Sequence, residues 1–187
     1  IRNFSAFILL GFCILLIIPT ESRSMDFKIL YHFDMKLKIV VAEGEIEDGD
    51  ADRFKNIYQK ADRDSEGDIV LVLNSPGGSV AAAFELAKIM EKVGVFTLVP
   101  DGAICASACA SIVYVAGNRR DLLENGLLGF HTCYLSDGRT YEKSSICNEE
   151  IADHAISNNI DHASVSLFVD DYGPGEIAWV GREVACK

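Results

Sequence analysis

Asp68–Leu73 (DIVLVL) is apolar at every position after the first, and it runs straight into Asn74–Gly78 (NSPGG). A run of that length without polar alternation fits a strand of a sheet covered on both faces. Pro-Gly-Gly cannot extend the ladder, and the glycines let the backbone take unusual angles and approach a ligand closely. Ser79–Val93 then places Val80, Ala83, Phe84, Ala87, Met90 and Glu91 along one helical stripe. A buried strand, a tight break and an amphipathic helix make a βα unit, so the chain is constrained to an α/β fold.

The flanking segments extend that pattern. Phe27–Phe33 and Leu37–Ala42 are short, β-rich runs and predict strands. Asp50–Ala61 has Phe54, Ile57, Tyr58 and Ala61 at helical spacing, with Asp50 as the expected N-cap. Val95–Val99 predicts another strand, Asp101-Gly102 a turn, and Ser107–Ala116 (SACASIVYVA) a buried helix stopped by Gly117. Leu127–Thr132 predicts a strand that carries His131 at its end, and Asn148–Val169 a long helix. Strands alternating with helices imply a mostly parallel sheet.

The residues able to do chemistry lie between Asn74 and His131. Ser107 follows a strand-turn and opens an apolar helix, where the helix dipole favours developing negative charge. The amide after such a serine faces the same space. With a glycine amide from another loop it can form an oxyanion hole, and a strand-end histidine can take the serine proton.

Three motifs stand in register: Asn74-Ser75-Pro76-Gly77-Gly78, Ala106-Ser107-Ala108 and Leu127-Leu128-Gly129-Phe130-His131. Gly78 precedes Ser107 by 29 residues and His131 follows it by 24. In these motifs and spacings the chain resembles the Clp-type serine proteases, most closely exported bacterial members with a CASAC-like nucleophile segment. A weaker likeness extends over residues 36–187. The resemblance implies the Clp/crotonase fold, stacked βαβ units with the site at the strand ends. It implies Ser107 as nucleophile, His131 as general base, and the amides of Gly78 and Ala108 as oxyanion hole. It implies neither a metal nor a nucleotide cofactor.

The third member of a triad would be a carboxylate that orients the histidine. Matching Glu183-Val184-Ala185 to a helix of the family puts that acid at Glu176, and implies that the chain stops at Lys187 short of a terminal strand. Starting the same helix at Gly175-Glu176 puts it at Asp170 or Asp171. Glu176 is preferred, although the family uses aspartate.

Five cysteines follow Cys13. Cys133 and Cys147 flank a polar, turn-rich stretch and can either close it as a disulfide or stay as thiols. Cys105 and Cys109 bracket Ser107 and are expected to pack in the core as free thiols. A zinc site from His131, Cys133, Cys147 and His154 is an alternative whose spacing matches no familiar pattern. His32 and His162 have no evident partner and are expected at the surface.

Residues 1–24 differ from residues 25–187, the expected hydrolase domain. After Arg2, Ala6–Ile18 is an unbroken apolar run of 13, followed by Pro19 and polar residues. This is the order of a secretory signal or a signal anchor, and it is shorter than the roughly 20 residues that span a bilayer. An exported, periplasmic or membrane-anchored protein is therefore expected, touching the membrane only through this segment. The formal net charge of −11 disfavours nucleic acid as a partner. The expectation is a serine peptidase acting on peptides or unfolded chains, possible as a homo-oligomer. The alternative is a catalytically silent binding or scaffold module on the same fold.

Overall fold

The computed structural model describes residues 24–136, 140–169, 172–173 and 175–185. The N-terminal apolar run, Asp170, Asp171 and Cys186 lie outside them. The chain is α/β, with a larger sheet and a smaller one whose strands end at a common region.

The larger sheet contains β1 (Asp26–His32), β2 (Leu37–Glu43), β3 (Ile69–Asn74), β4 (Val95–Val99) and β6 (Arg119–Leu122), in the order β1-β2-β3-β4-β6. β1 pairs antiparallel with β2, and all other neighbours are parallel. Helix α1 (Asp50–Tyr58) connects β2 to β3, and α2 (Val80–Val93) connects β3 to β4. The smaller sheet has the order β10-β7-β5, from β10 (Ala178–Val180), β7 (Leu127–Phe130) and β5 (Ile104–Ala106). A hairpin of β8 (Tyr134–Ser136) and β9 (Tyr141–Lys143) precedes α3 (Ser145–Ser157), α4 (His162–Val169) and the short α5 (Arg182–Ala185).

Both faces of β3 are covered, as its sequence demands: Ile69, Val70, Leu71 and Leu73 are buried. The core joins Ile69, Leu71 and Leu73 to Phe54 of α1, Leu86 and Met90 of α2, and Ile112. The buried face of α2 runs through Ala82, Ala83, Leu86, Ala87 and Met90, so it is rotated slightly from the predicted stripe. Ser79 caps this helix, its Oγ accepting from Ala82 N at 3.2 Å.

Four local expectations are corrected. Asp50 is the first residue of α1 rather than its cap, which is Gly49 at φ 89°. Asp50 is fully buried instead, its carboxylate accepting from Glu47 N at 2.7 Å and Arg53 Nε at 2.9 Å. The helix expected over 148–169 is two helices. Asn158 and Asn159 break it, Asn159 at φ 61°, where a short amide side chain is tolerated. The predicted strand at 127–132 ends at Phe130, so His131 stands just beyond it. His32 is half-buried, and its Nδ1 accepts from Met35 N.

The segment after Ser107 is wider than an α-helix. Cys109–Tyr114 is π-helical, a geometry found mostly as single turns and often at functional sites. Its carbonyls and those that follow it find side-chain donors. Thr97 Oγ1 donates to Tyr114 O at 2.8 Å, His154 Nε2 lies 3.0 Å from Ile112 O, and Arg120 Nη1 donates to Val115 O and Gly117 O.

The strand β6 was not predicted, because Arg119, Arg120 and Asp121 give it no apolar pattern. Pairing with β4 and an ion cluster hold it. Arg119 donates to Asp68 at 2.9 Å and pairs with Asp64 and Glu66, its guanidinium 4.6 Å from the centre of the Phe96 ring. Burial alone would raise the Asp64 carboxyl. The amides of Asp68 and Glu66 together with Arg119 outweigh it and hold the group below its ordinary value of 3.8. A depressed carboxyl contributes stability above its unfolded value that is lost as pH falls through the folded one. The unfolding temperature of Asp64→Asn should therefore fall less steeply than that of the wild type as the buffer is taken below about pH 4, which a calorimetric series would show.

Candidate active site

Three strand ends converge on Ser107. β5 and β7 are parallel neighbours with Ala106 opposite Gly129, so the residues that follow them, Ser107 and His131, leave the sheet side by side. β3 joins them through an isolated bridge between Ser75 and Cys105. Ser75 N donates to Ile104 O at 2.8 Å and Ala106 N to Ser75 O at 3.0 Å. Catalytic groups in α/β sheets collect at such carboxyl ends.

Ser107 itself sits at φ 55°. A non-glycine residue there costs about 1–2 kcal/mol, and such positions cluster at functional sites. The elbow is held from both sides: Ser107 N donates to Gly129 O at 2.8 Å, and Ser107 O accepts from Ser111 N and Ser111 Oγ, each at 3.0 Å. Its hydroxyl is half-buried and lies 2.8 Å from His131 Nε2.

The other ring nitrogen of His131 settles the tautomer. Nδ1 is 2.8 Å from the carbonyl oxygen of Thr132. A carbonyl can only accept, so Nδ1 carries the proton and donates to it. In the neutral ring Nε2 is then the lone-pair nitrogen, placed to accept from the Ser107 hydroxyl. The backbone after His131 is fixed in turn. Asn148 is buried, accepting from Cys133 N at 2.8 Å and donating to Cys133 O at 3.2 Å and Ser144 O at 2.6 Å.

The structure does not bring Glu176 to His131. Glu176 is exposed, and its Oε2 accepts from Gly173 N at 3.1 Å within its own loop. The Nδ1 position where a triad carboxylate would bind is taken by Thr132 O. Asp170 and Asp171 lie outside the described residues. Glu176→Gln should leave kcat within about threefold of wild type, whereas an acid that orients the base costs about 10⁴-fold when neutralised. Steady-state kinetics of the purified variant separates the two.

Gly77 and Gly78 have separate surroundings. A Cβ on Gly77 would stand 2.6 Å from both Ala106 O and Ser107 Cβ, and 3.1 Å from Ala108 N. Gly77 thus keeps open the space in front of the Ala108 amide. Gly78 lies against Ile46: Ile46 N donates to Gly77 O at 2.7 Å and Ser79 N to Ile46 O at 2.8 Å. The Gly78 and Ala108 amides have no hydrogen-bond acceptor among the described residues.

Among the described residues there are two disulfides. Cys133–Cys147 closes the polar stretch, one of the two arrangements its spacing allows, and takes both thiolates away from the zinc alternative. Cys105–Cys109 corrects the expectation of two free thiols: the chain doubles back at Ser107 and brings their Cα atoms to 5.2 Å. Of the two histidines in that alternative, His131 lies on Ser107 and Thr132 O, and His154 is turned toward Ile112 O with its ring edge-on to Phe84. His162 is exposed.

The family model of the Clp protease family matches residues 22–134, which contain Ser107 and His131. The chain belongs to the Clp protease family. A solved structure with the same fold is the 1510-N membrane-bound stomatin-specific protease, in a mutant form. It is 18% identical, with a TM-score of 0.61, and the match covers 78% of this chain and 72% of that one. No curated protein matches the sequence significantly. This Clp-family chain thus has the Clp/crotonase-like architecture, in a family of proteases. Its sequence did not reveal Thr132 as a partner of His131, because a backbone carbonyl has no side-chain signal. It did not distinguish Gly77 from Gly78, which are adjacent and chemically identical. No helix among the described residues is long and apolar enough to cross a membrane.

Proposed function

We propose that this protein is an exported serine peptidase that cleaves peptide bonds through an acyl-enzyme on Ser107. The observation that carries the reading is the 2.8 Å hydrogen bond between Ser107 Oγ and His131 Nε2. His131 Nε2 takes the hydroxyl proton as Ser107 Oγ bonds to the substrate carbonyl carbon. The carbonyl oxygen becomes an oxyanion facing the Gly78 and Ala108 amides. The C–N bond then breaks, and the proton held by His131 passes to the departing amine. Water deprotonated by the same nitrogen hydrolyses the ester and frees Ser107. Thr132 O holds the imidazole in the useful tautomer throughout, the task a carboxylate performs in a triad.

Export is supported by the apolar N-terminal run and by two disulfides, which persist in oxidising compartments. Substrates there are peptides, loops or chains already unfolded, and self-association into a homo-oligomer fits the same reading. Incubation with an unstructured protein such as casein should yield peptides whose new termini map to discrete bonds, and Ser107→Ala should yield none. The absence of cleavage by wild type across a peptide library would favour the silent scaffold instead, which the lack of a carboxylate on His131 among the described residues leaves as the second reading.

A further inference from the structure

The Cys105–Cys109 disulfide is centred on Ser107, each cysteine two positions from it. It joins the end of β5 to the first turn of the π-helical segment, the two arms of the elbow. Both cysteines are fully buried. Four residues of extended chain would span about 13 Å, whereas the Cα separation is 5.2 Å; the chain turns between the cysteines, and Ser107 at φ 55° is the left-handed residue of that turn.

We propose that Cys105 and Cys109 are positioning residues for the nucleophile: their disulfide clamps the elbow so that Ser107 keeps its left-handed backbone and its hydroxyl stays on His131. The proposal rests on the hydrolase reading of the site. Ser107 cannot be glycine if it is to react, so its backbone conformation must be imposed from outside, and the clamp is the covalent part of that restraint. Opening the bridge has a direct steric consequence. Bonded sulfurs lie about 2 Å apart in any disulfide, whereas non-bonded heavy atoms need about 3.5–4 Å. In a close-packed interior the two thiols must separate, and the segment between them is Ser107 with its neighbours.

A dithiol opens the bridge by thiol–disulfide exchange. A thiolate of the reagent attacks one sulfur, and its second thiol resolves the mixed disulfide. Two electrons and two protons pass to Cys105 and Cys109 while the reagent becomes a cyclic disulfide. An oxidising compartment keeps the elbow closed. A molecule still in the cytosol, before export, would carry the thiols and a displaced Ser107.

The test measures inactivation by a fluorophosphonate, separating the maximal rate from the half-saturating concentration. Wild type, Cys105→Ala/Cys109→Ala and Cys133→Ala/Cys147→Ala are compared, oxidised and after dithiothreitol, with circular dichroism to verify folding. The clamp predicts that reduction lowers the maximal rate on the order of 10²-fold, with half-saturation little changed, and that diamide restores it. The same should hold in Cys133→Ala/Cys147→Ala, where only the Cys105–Cys109 bridge remains. Cys105→Ala/Cys109→Ala should be folded, slow in both states and not restored. Wild-type rates in that variant would overturn the clamp, and that variant alone decides if the buried bridge resists the reagent. If oxidised wild type itself does not label, the hydrolase reading fails separately. The clamp is then judged by nitrogen NMR of His131: the Nε2 signal should differ between wild type and Cys105→Ala/Cys109→Ala, and identical signals would overturn it.

Discussion

Ser107→Ala is expected to lower kcat for peptide cleavage by on the order of 10⁵–10⁶-fold, and His131→Ala by a similar factor. The double variant should be no worse than either single one. The non-additivity follows from the geometry. The hydroxyl at 2.8 Å from Nε2 is the nucleophile that forms the acyl-enzyme, and it is reactive only while that nitrogen can take its proton. Removing either group disables the same step, so the second removal has nothing left to act on. What survives is the contribution of the two backbone amides, which neither substitution touches. Losses that multiplied in the double variant would mean that serine and histidine serve different steps.

Gly77→Ala carries the second-largest expected effect, and it acts without removing any reacting atom. The new methyl would lie 2.6 Å from Ala106 O and Ser107 Cβ, distances that real Cβ atoms do not adopt. Gly77 also has φ 101°, a backbone conformation costly for any residue with a side chain. The segment that must give way is the elbow. A shift of about 1 Å in a reacting group costs about 10²-fold, so kcat should fall by at least that much. Stability falls too, by roughly 2–4 °C in Tm for each kcal/mol. Gly102→Ala is the matching control: it has φ 75° but no atom within 4 Å of the added carbon. It should lower Tm slightly and leave kcat alone. If Gly77→Ala lost only stability, the glycine would be serving the turn and not the nucleophile.

The parts of the molecule legible in the sequence are those where local pattern and tertiary role agree. β3 and α2 have apolar residues at their own periods, and the NSPGG break between them has no regular alternative. Ser107 and His131 were visible through motif spacing, and parallel pairing of β5 with β7 then explains their meeting in space. The missed features depend on contacts distant in sequence. β6 is polar and is a strand only because β4 offers a free edge and Asp64 and Asp68 hold Arg119. The small strand β10 depends on pairing with β7, where Trp179 faces Gly129. Residues 109–114 have the composition of a buried α-helix, and their wider turn is supported by donors from Thr97 and His154. Glu176 was selected by a sequence offset, and an offset does not specify the loop that ties it to Gly173. The Cys105–Cys109 bond was obscured because a strand cysteine and a helix cysteine four residues apart meet only if the chain reverses between them.

The activation of Ser107 as a nucleophile underlies the proposed function. Its most direct test is intact-mass and peptide-mapping mass spectrometry of the oxidised full chain after treatment with a fluorophosphonate. One adduct per chain, located on Ser107 and absent from folded His131→Ala, is the result the geometry predicts. A folded wild-type protein without an adduct, or with one on another residue, would contradict it.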